Sequence, residues 1–120
     1  MSTDLHIFHK TISQEDYDAA AKFLNLLYTP ERVAKLVEGL KKSPVQVNKA
    51  VDILRAAELE LLPIENPNVQ KNLFKARKNE KMAPVVLVRG EHKLIVADGY
   101  HRICTAYYLR EDVEIPFIIA

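Results

Sequence analysis

The chain has 120 residues, 48% of them hydrophobic and 28% charged, enough for one domain with a buried core. A formal net charge of +1 excludes an overall polyanion-binding character, so any basic surface must be local. The single cysteine, Cys104, excludes an intrachain disulfide and fits a reducing cytoplasm.

Met1 to His6 has no basic start leading into an apolar run, so no signal peptide is expected, and no apolar run is long enough to span a bilayer. The expectation is a cytoplasmic chain with no membrane partner. Ser13 reads as a helix N-cap, with Glu15 and Asp16 in the first turn; Tyr17, Ala20, Ala21, Leu24, Leu27 and Tyr28 follow at helical spacing. Thr29-Pro30 restarts the chain, and Val33, Leu36, Val37 and Leu40 form a second apolar stripe. Ser43-Pro44 repeats that start signal, and Val47, Ala50, Val51, Leu54 and Ala57 predict a third helix. A sharper reading of 31–54 is a DNA-reading helix-turn-helix, with Gln46, Asn48 and Lys49 as its few base-reading side chains.

After Ala57 the composition changes. The alternation of Leu59 and Leu61 with Glu58 and Glu60 predicts a strand over 58–64, with Pro63 at its end. Asn66-Pro67-Asn68 is a turn or helix start. From Val69 to Lys81 the chain carries Lys71, Lys75, Arg77, Lys78 and Lys81 around a thin seam of Val69, Leu73 and Ala76. Its ordinary role is a solvated helix face; its functional one is a basic wall beside an anion site. Pro84–Val88 and Lys93–Val96 flank Arg89-Gly90-Glu91-His92 as a β-hairpin, and 113–119 is a terminal strand. The expected class is α+β: a helical segment of about three helices over 1–57, then a small mixed sheet over 58–120, in one domain.

Between the hairpin and the last strand lies Ile95-Val96-Ala97-Asp98-Gly99-Tyr100-His101-Arg102, a strand running into a glycine turn and a helix. The first N–H groups of a helix lack partners, and its dipole favours negative charge there. Gly99 permits a close approach, while His101 and Arg102 add donors, so the turn is a candidate phosphate or carboxylate site. The structural alternative pairs Arg102 with Asp98 across the turn. Tyr100, Tyr107 and Tyr108 could stack on a base or simply pack. His6, His9 and His92 have no ligand spacing with one another or with Cys104, so no metal site is expected.

The order strand with Pro, helix, hairpin, Asp-Gly-x-His-Arg, helix and apolar strand resembles the ParB/sulfiredoxin fold. The resemblance is carried by Leu59–Ile64, Pro84–Val88, Ile95–Arg102, Ala106–Leu109 and Ile115–Ile118, about the second half of the chain. It implies phosphate contact by Gly99, His101 and Arg102, with Asp98 organising the turn or approaching a metal, and Tyr100 within the motif. Sulfiredoxins carry a catalytic cysteine immediately before the His-Arg pair, where this chain has Tyr100, so that chemistry is not expected. The serine-kinase branch uses a carboxylate after its first strand as base, a place comparable to Glu65. The functional expectation is binding of a nucleotide (ATP, ADP or CTP, with Mg) or another phosphorylated ligand. Phosphoryl transfer or hydrolysis through Glu65 and His101 is the catalytic form of that reading. The alternative is a non-catalytic module that binds a nucleotide, DNA or a protein partner.

Overall fold

The computed structural model describes residues 7–120. The leader-free start read above lies outside the described residues, and His6 with it. The described residues form an α+β chain in the order α1 (Gln14–Leu24), α2 (Pro30–Lys42), β1 (Gln46–Lys49), α3 (Ala50–Ala56), α4 (Pro67–Arg77), β2 (Val85–Arg89), β3 (Leu94–Asp98), α5 (Tyr100–Leu109) and β4 (Glu114–Ile119). The strands make one mixed sheet ordered β1-β4-β2-β3, parallel between β2 and β4 and antiparallel at its other two pairings. No helix among the described residues is long and apolar enough to cross a membrane.

Both faces of the sheet are covered, and β2 shows how. Val85 and Leu87 face a core made with Ile53, Leu54, Val69, Leu73 and Ile103 of α3, α4 and α5. Val86 and Val88 face a second core made with Ala20, Leu24, Val33 and Leu40 of α1 and α2. A strand buried on both sides reads as a continuous apolar run, as Val85-Val86-Leu87-Val88 does.

The first two helices start where the sequence places them. Ser13 and Asp16 form a reciprocal capping box on α1, and the Thr29 hydroxyl accepts from Arg32 N ahead of Pro30 on α2. Asn66 caps α4, its side-chain oxygen accepting from the N–H groups of Asn68 and Val69.

Two expectations are corrected. The third helix does not begin at Ser43-Pro44. The Ser43 hydroxyl instead accepts the Ile119 N–H at 3.1 Å, at the end of β4, and the chain then runs antiparallel to β4 as β1. Only the seven residues Ala50–Ala56 are helical. This also removes the helix-turn-helix, because Gln46, Asn48 and Lys49 lie in an edge strand and not on a recognition helix. The sheet therefore draws on the segment before residue 58.

The second correction concerns 58–64, which joins no strand. Leu59 and Leu62 are partly buried against the core, and two hydroxyls of α5 hold the backbone: Tyr100 donates to the Glu60 carbonyl at 2.6 Å and Tyr108 to the Leu62 carbonyl at 2.5 Å. Side-chain donors stand in for a ladder. Burial pushes the Tyr100 phenol above its ordinary value, with Cys104 and Glu60 adding to the shift; burial likewise raises Tyr108, reinforced by Cys104, Glu65 and Tyr107. A raised phenol holds its proton longer in the folded state than in the unfolded one, so this contribution is complete below about pH 10 and falls as pH rises through it. The urea midpoint is expected to decline as pH rises above about 10, and that of the Tyr100→Phe/Tyr108→Phe pair to decline less steeply. Parallel profiles would show that these hydroxyls do not govern alkaline stability.

Candidate functional site

The candidate site is built where β3 passes into α5. A β-bulge precedes it: Leu87 pairs with Val96 and Val86 with Asp98, which leaves Ala97 as the extra residue. Such an insertion re-aims the next side chain, here Asp98. Gly99 follows at φ 114°, a left-handed conformation, and caps α5 with no side-chain acceptor. The first intrahelical bond runs from the Ile103 N–H to the Gly99 carbonyl, so the opening amides of α5 precede it.

Arg102 turns inward. Its Nη2 donates to Asp98 Oδ2 at 3.2 Å and to the Pro84 carbonyl at 3.2 Å, with the two side chains 19% and 21% exposed. Its Nε is buried without a hydrogen-bond partner. The pairing of Arg102 with Asp98 considered from sequence is thus formed, and it ties the start of α5 to the segment entering β2.

A cleft of about 380 Å³ opens over this turn. Asp98, Gly99, Tyr100, His101 and Arg102 form one side, and Asn68, Lys71, Asn72 and Lys75 of α4 with Lys81 form another. The residues 68, 71, 72 and 75 recur at helical spacing, so α4 turns a single face to the cleft while Val69 and Leu73 face the core. Lys71, Lys75 and Lys81 pair with no carboxylate among the described residues. Among the described residues Asp98 is the one acid on the lining, and it is engaged by Arg102. The His101 imidazole has no hydrogen-bond partner among the described residues, although its backbone carbonyl accepts from Thr105 Oγ1. The chemistry offered is that of an anion receptor: free ammonium groups, an imidazole and helix-start amides.

The structure therefore gathers Asp98, Gly99, Tyr100, His101 and Arg102 and sets the lysines beside them. It leaves out Glu65, which is exposed in the turn before α4 and does not line the cleft. Of the basic run, Lys78 lies over the Phe74 ring, 4.2 Å from its centroid, and neither it nor Arg77 lines the cleft. Tyr107 and Tyr108 pack edge to face, with centroids 5.6 Å apart. Cys104 is fully buried and burial pushes its thiol up, which suits packing rather than reactivity. Asn68 and Asn72 were missed, although helical spacing from Lys71 and Lys75 places them on the same face. Among the described residues no three His, Cys, Asp or Glu side chains gather as a metal would need. The chain matches no protein-family model, no curated protein and no solved structure.

Proposed function

We propose that this chain is a ParB/sulfiredoxin-like domain that binds the phosphate of a nucleotide or another phosphorylated small molecule at the Asp98–Arg102 turn. One observation carries the reading: three lysines with no carboxylate partner among the described residues share a single cleft with the start of α5, which has no side-chain cap and carries the His101 imidazole. Cations and helix-start amides converging on one space are complementary to a multiply charged oxyanion. The Asp-Gly-x-His-Arg motif, with the hairpin before it and the helix and apolar strand after it, supports the reading from the sequence side, although the first strand of that resemblance, over 58–64, is not formed.

Binding without turnover is the better supported form. Glu65, the candidate base, lies off the cleft, and Asp98, the single carboxylate on the lining among the described residues, is paired with Arg102. The same fact bears on magnesium. A protein-held Mg²⁺ is usually anchored by more than one carboxylate, whereas among the described residues this lining offers Asp98 alone, its Oδ2 already bonded to Arg102, so the donor set does not fit a resident ion. ATP, ADP and CTP remain the nucleotides to try.

The test is a thermal-shift and calorimetric titration with phosphate, pyrophosphate, ADP, ATP and CTP, since a ligand of the folded state raises the melting temperature by mass action. Pyrophosphate or the nucleotides are expected to bind, and Lys71→Glu/Lys75→Glu to weaken them by about 100-fold, two charge-assisted contacts' worth. No shift from any phosphate, or one that survives the double reversal, would overturn the proposal.

A further inference from the structure

The basic cleft has a neighbour. A second cavity, of about 470 Å³, shares Asp98, Gly99, Tyr100 and His101 with the first, so the same turn lines both. Beyond that wall the chemistry changes. Phe23 and Leu27, at the end of α1 and in the turn after it, join Leu59, Leu94 and Val96 in a mainly apolar lining. Phe23 and Leu27 stand 40% and 50% exposed, whereas Leu24 between them is fully buried. Neighbouring apolar side chains left in water beside a polar site are a mark of a binding surface.

The lining also restricts what can occupy it. A nucleobase is held by donors and acceptors along its edge as well as by its flat face. Here the Asp98 carboxylate is engaged by Arg102 and the Tyr100 hydroxyl by the Glu60 carbonyl. Lys93 and His101 are the remaining polar side chains of the lining. An uncharged carbon skeleton asks nothing of such a wall except area. Phosphate on the lysine side and apolar area on the other side of one turn are the two ends of a single kind of molecule.

We propose that the two cavities together hold an amphipathic organic phosphate, its phosphoryl group beside Lys71 and Lys75 and its uncharged apolar skeleton against Phe23, Leu27 and Leu59. This inference rests on the phosphate reading of the basic cleft. Its ligand class is a prenyl, acyl or aryl phosphate rather than a nucleotide.

The discriminating experiment titrates the full chain with pyrophosphate, geranyl diphosphate and ADP by calorimetry, in the unaltered protein and in Phe23→Ser/Leu27→Ser. Half-exposed positions tolerate polar side chains, and Leu27→Lys alone serves if the pair does not fold. Geranyl diphosphate is expected to bind at least about tenfold more tightly than pyrophosphate, from the apolar area it covers. The serine pair should abolish that preference and leave the pyrophosphate affinity unchanged. Equal affinities in the unaltered protein, a preference that survives the serine pair, or ADP binding more tightly than geranyl diphosphate would each overturn the inference while leaving the phosphate site standing. Failure of pyrophosphate itself to bind would remove both.

Discussion

Gly99→Ala is expected to destabilise the protein by about 2–5 kcal/mol, the sum of a strained backbone and a core collision. Gly99 sits at φ 114°, where an L side chain is strained whatever room it has. Room is lacking too: a Cβ there would come within 2.5 Å of Val85 Cγ1 and 2.9 Å of Val85 Cβ. Val85 is fully buried in β2 and cannot withdraw without disturbing the sheet. The contact explains why the turn needs glycine, since the start of α5 is pressed against the strand beside it. Gly39→Ala supplies the contrast. Gly39 lies inside α2, and its added Cβ would meet Ala120 Cβ at an ordinary 3.4 Å. There alanine is expected to stabilise by about 0.5–1 kcal/mol through helix propensity. Urea unfolding of both variants reads the two signs in one series. A Gly99→Ala loss below about 1 kcal/mol would mean that the turn relaxes away from Val85 at little cost.

Local signals read well wherever one short segment decides its own shape. Ser13 with Asp16, Thr29 with Pro30, and the Asp98–Arg102 turn each carry their own geometry, and the structure places them as the spacing predicts. Two elements failed because distant partners decided them. Val47, Ala50, Val51 and Leu54 fit a helical period, yet β4 offers an open edge, and the β-branched Val47 pairs opposite Pro116 upon it. The alternation over 58–64 fits a strand, but the partners of its Glu60 and Leu62 carbonyls are tyrosine hydroxyls some forty residues on. The candidate site divides in the same way. The turn and its lysines were legible from composition and helical spacing. The second cavity was not, because Phe23, Leu27, Leu59 and Leu94 come from three separate segments and are each unremarkable in sequence. The commitment of Arg102 to the Pro84 carbonyl is a product of the tertiary fold in the same sense.

That commitment changes how Arg102→Ala should behave. A surface phosphate ligand could be removed with little effect on folding, whereas this guanidinium is 19% exposed and bridges Asp98 to the Pro84 carbonyl. Truncation leaves a part-buried carboxylate without its cation and a buried-segment carbonyl without its donor, at a cost of about 2–4 kcal/mol. Arg102→Ala should therefore lose stability first and phosphate binding as a consequence of the displaced turn. Asp98→Asn separates the two effects. It keeps an oxygen that can accept from Arg102, so its stability cost should be nearer 1 kcal/mol, roughly that of one weakened hydrogen bond. It also removes the Asp98 negative charge from the cleft, which should tighten pyrophosphate on the order of fivefold by relief of repulsion. Urea midpoints and calorimetric affinities for the two variants give four numbers that the clamp role orders unambiguously. If Arg102→Ala instead kept its midpoint and lost binding outright, the guanidinium would belong to the phosphate, and Asp98 would be the residue holding it in place until the ligand arrives.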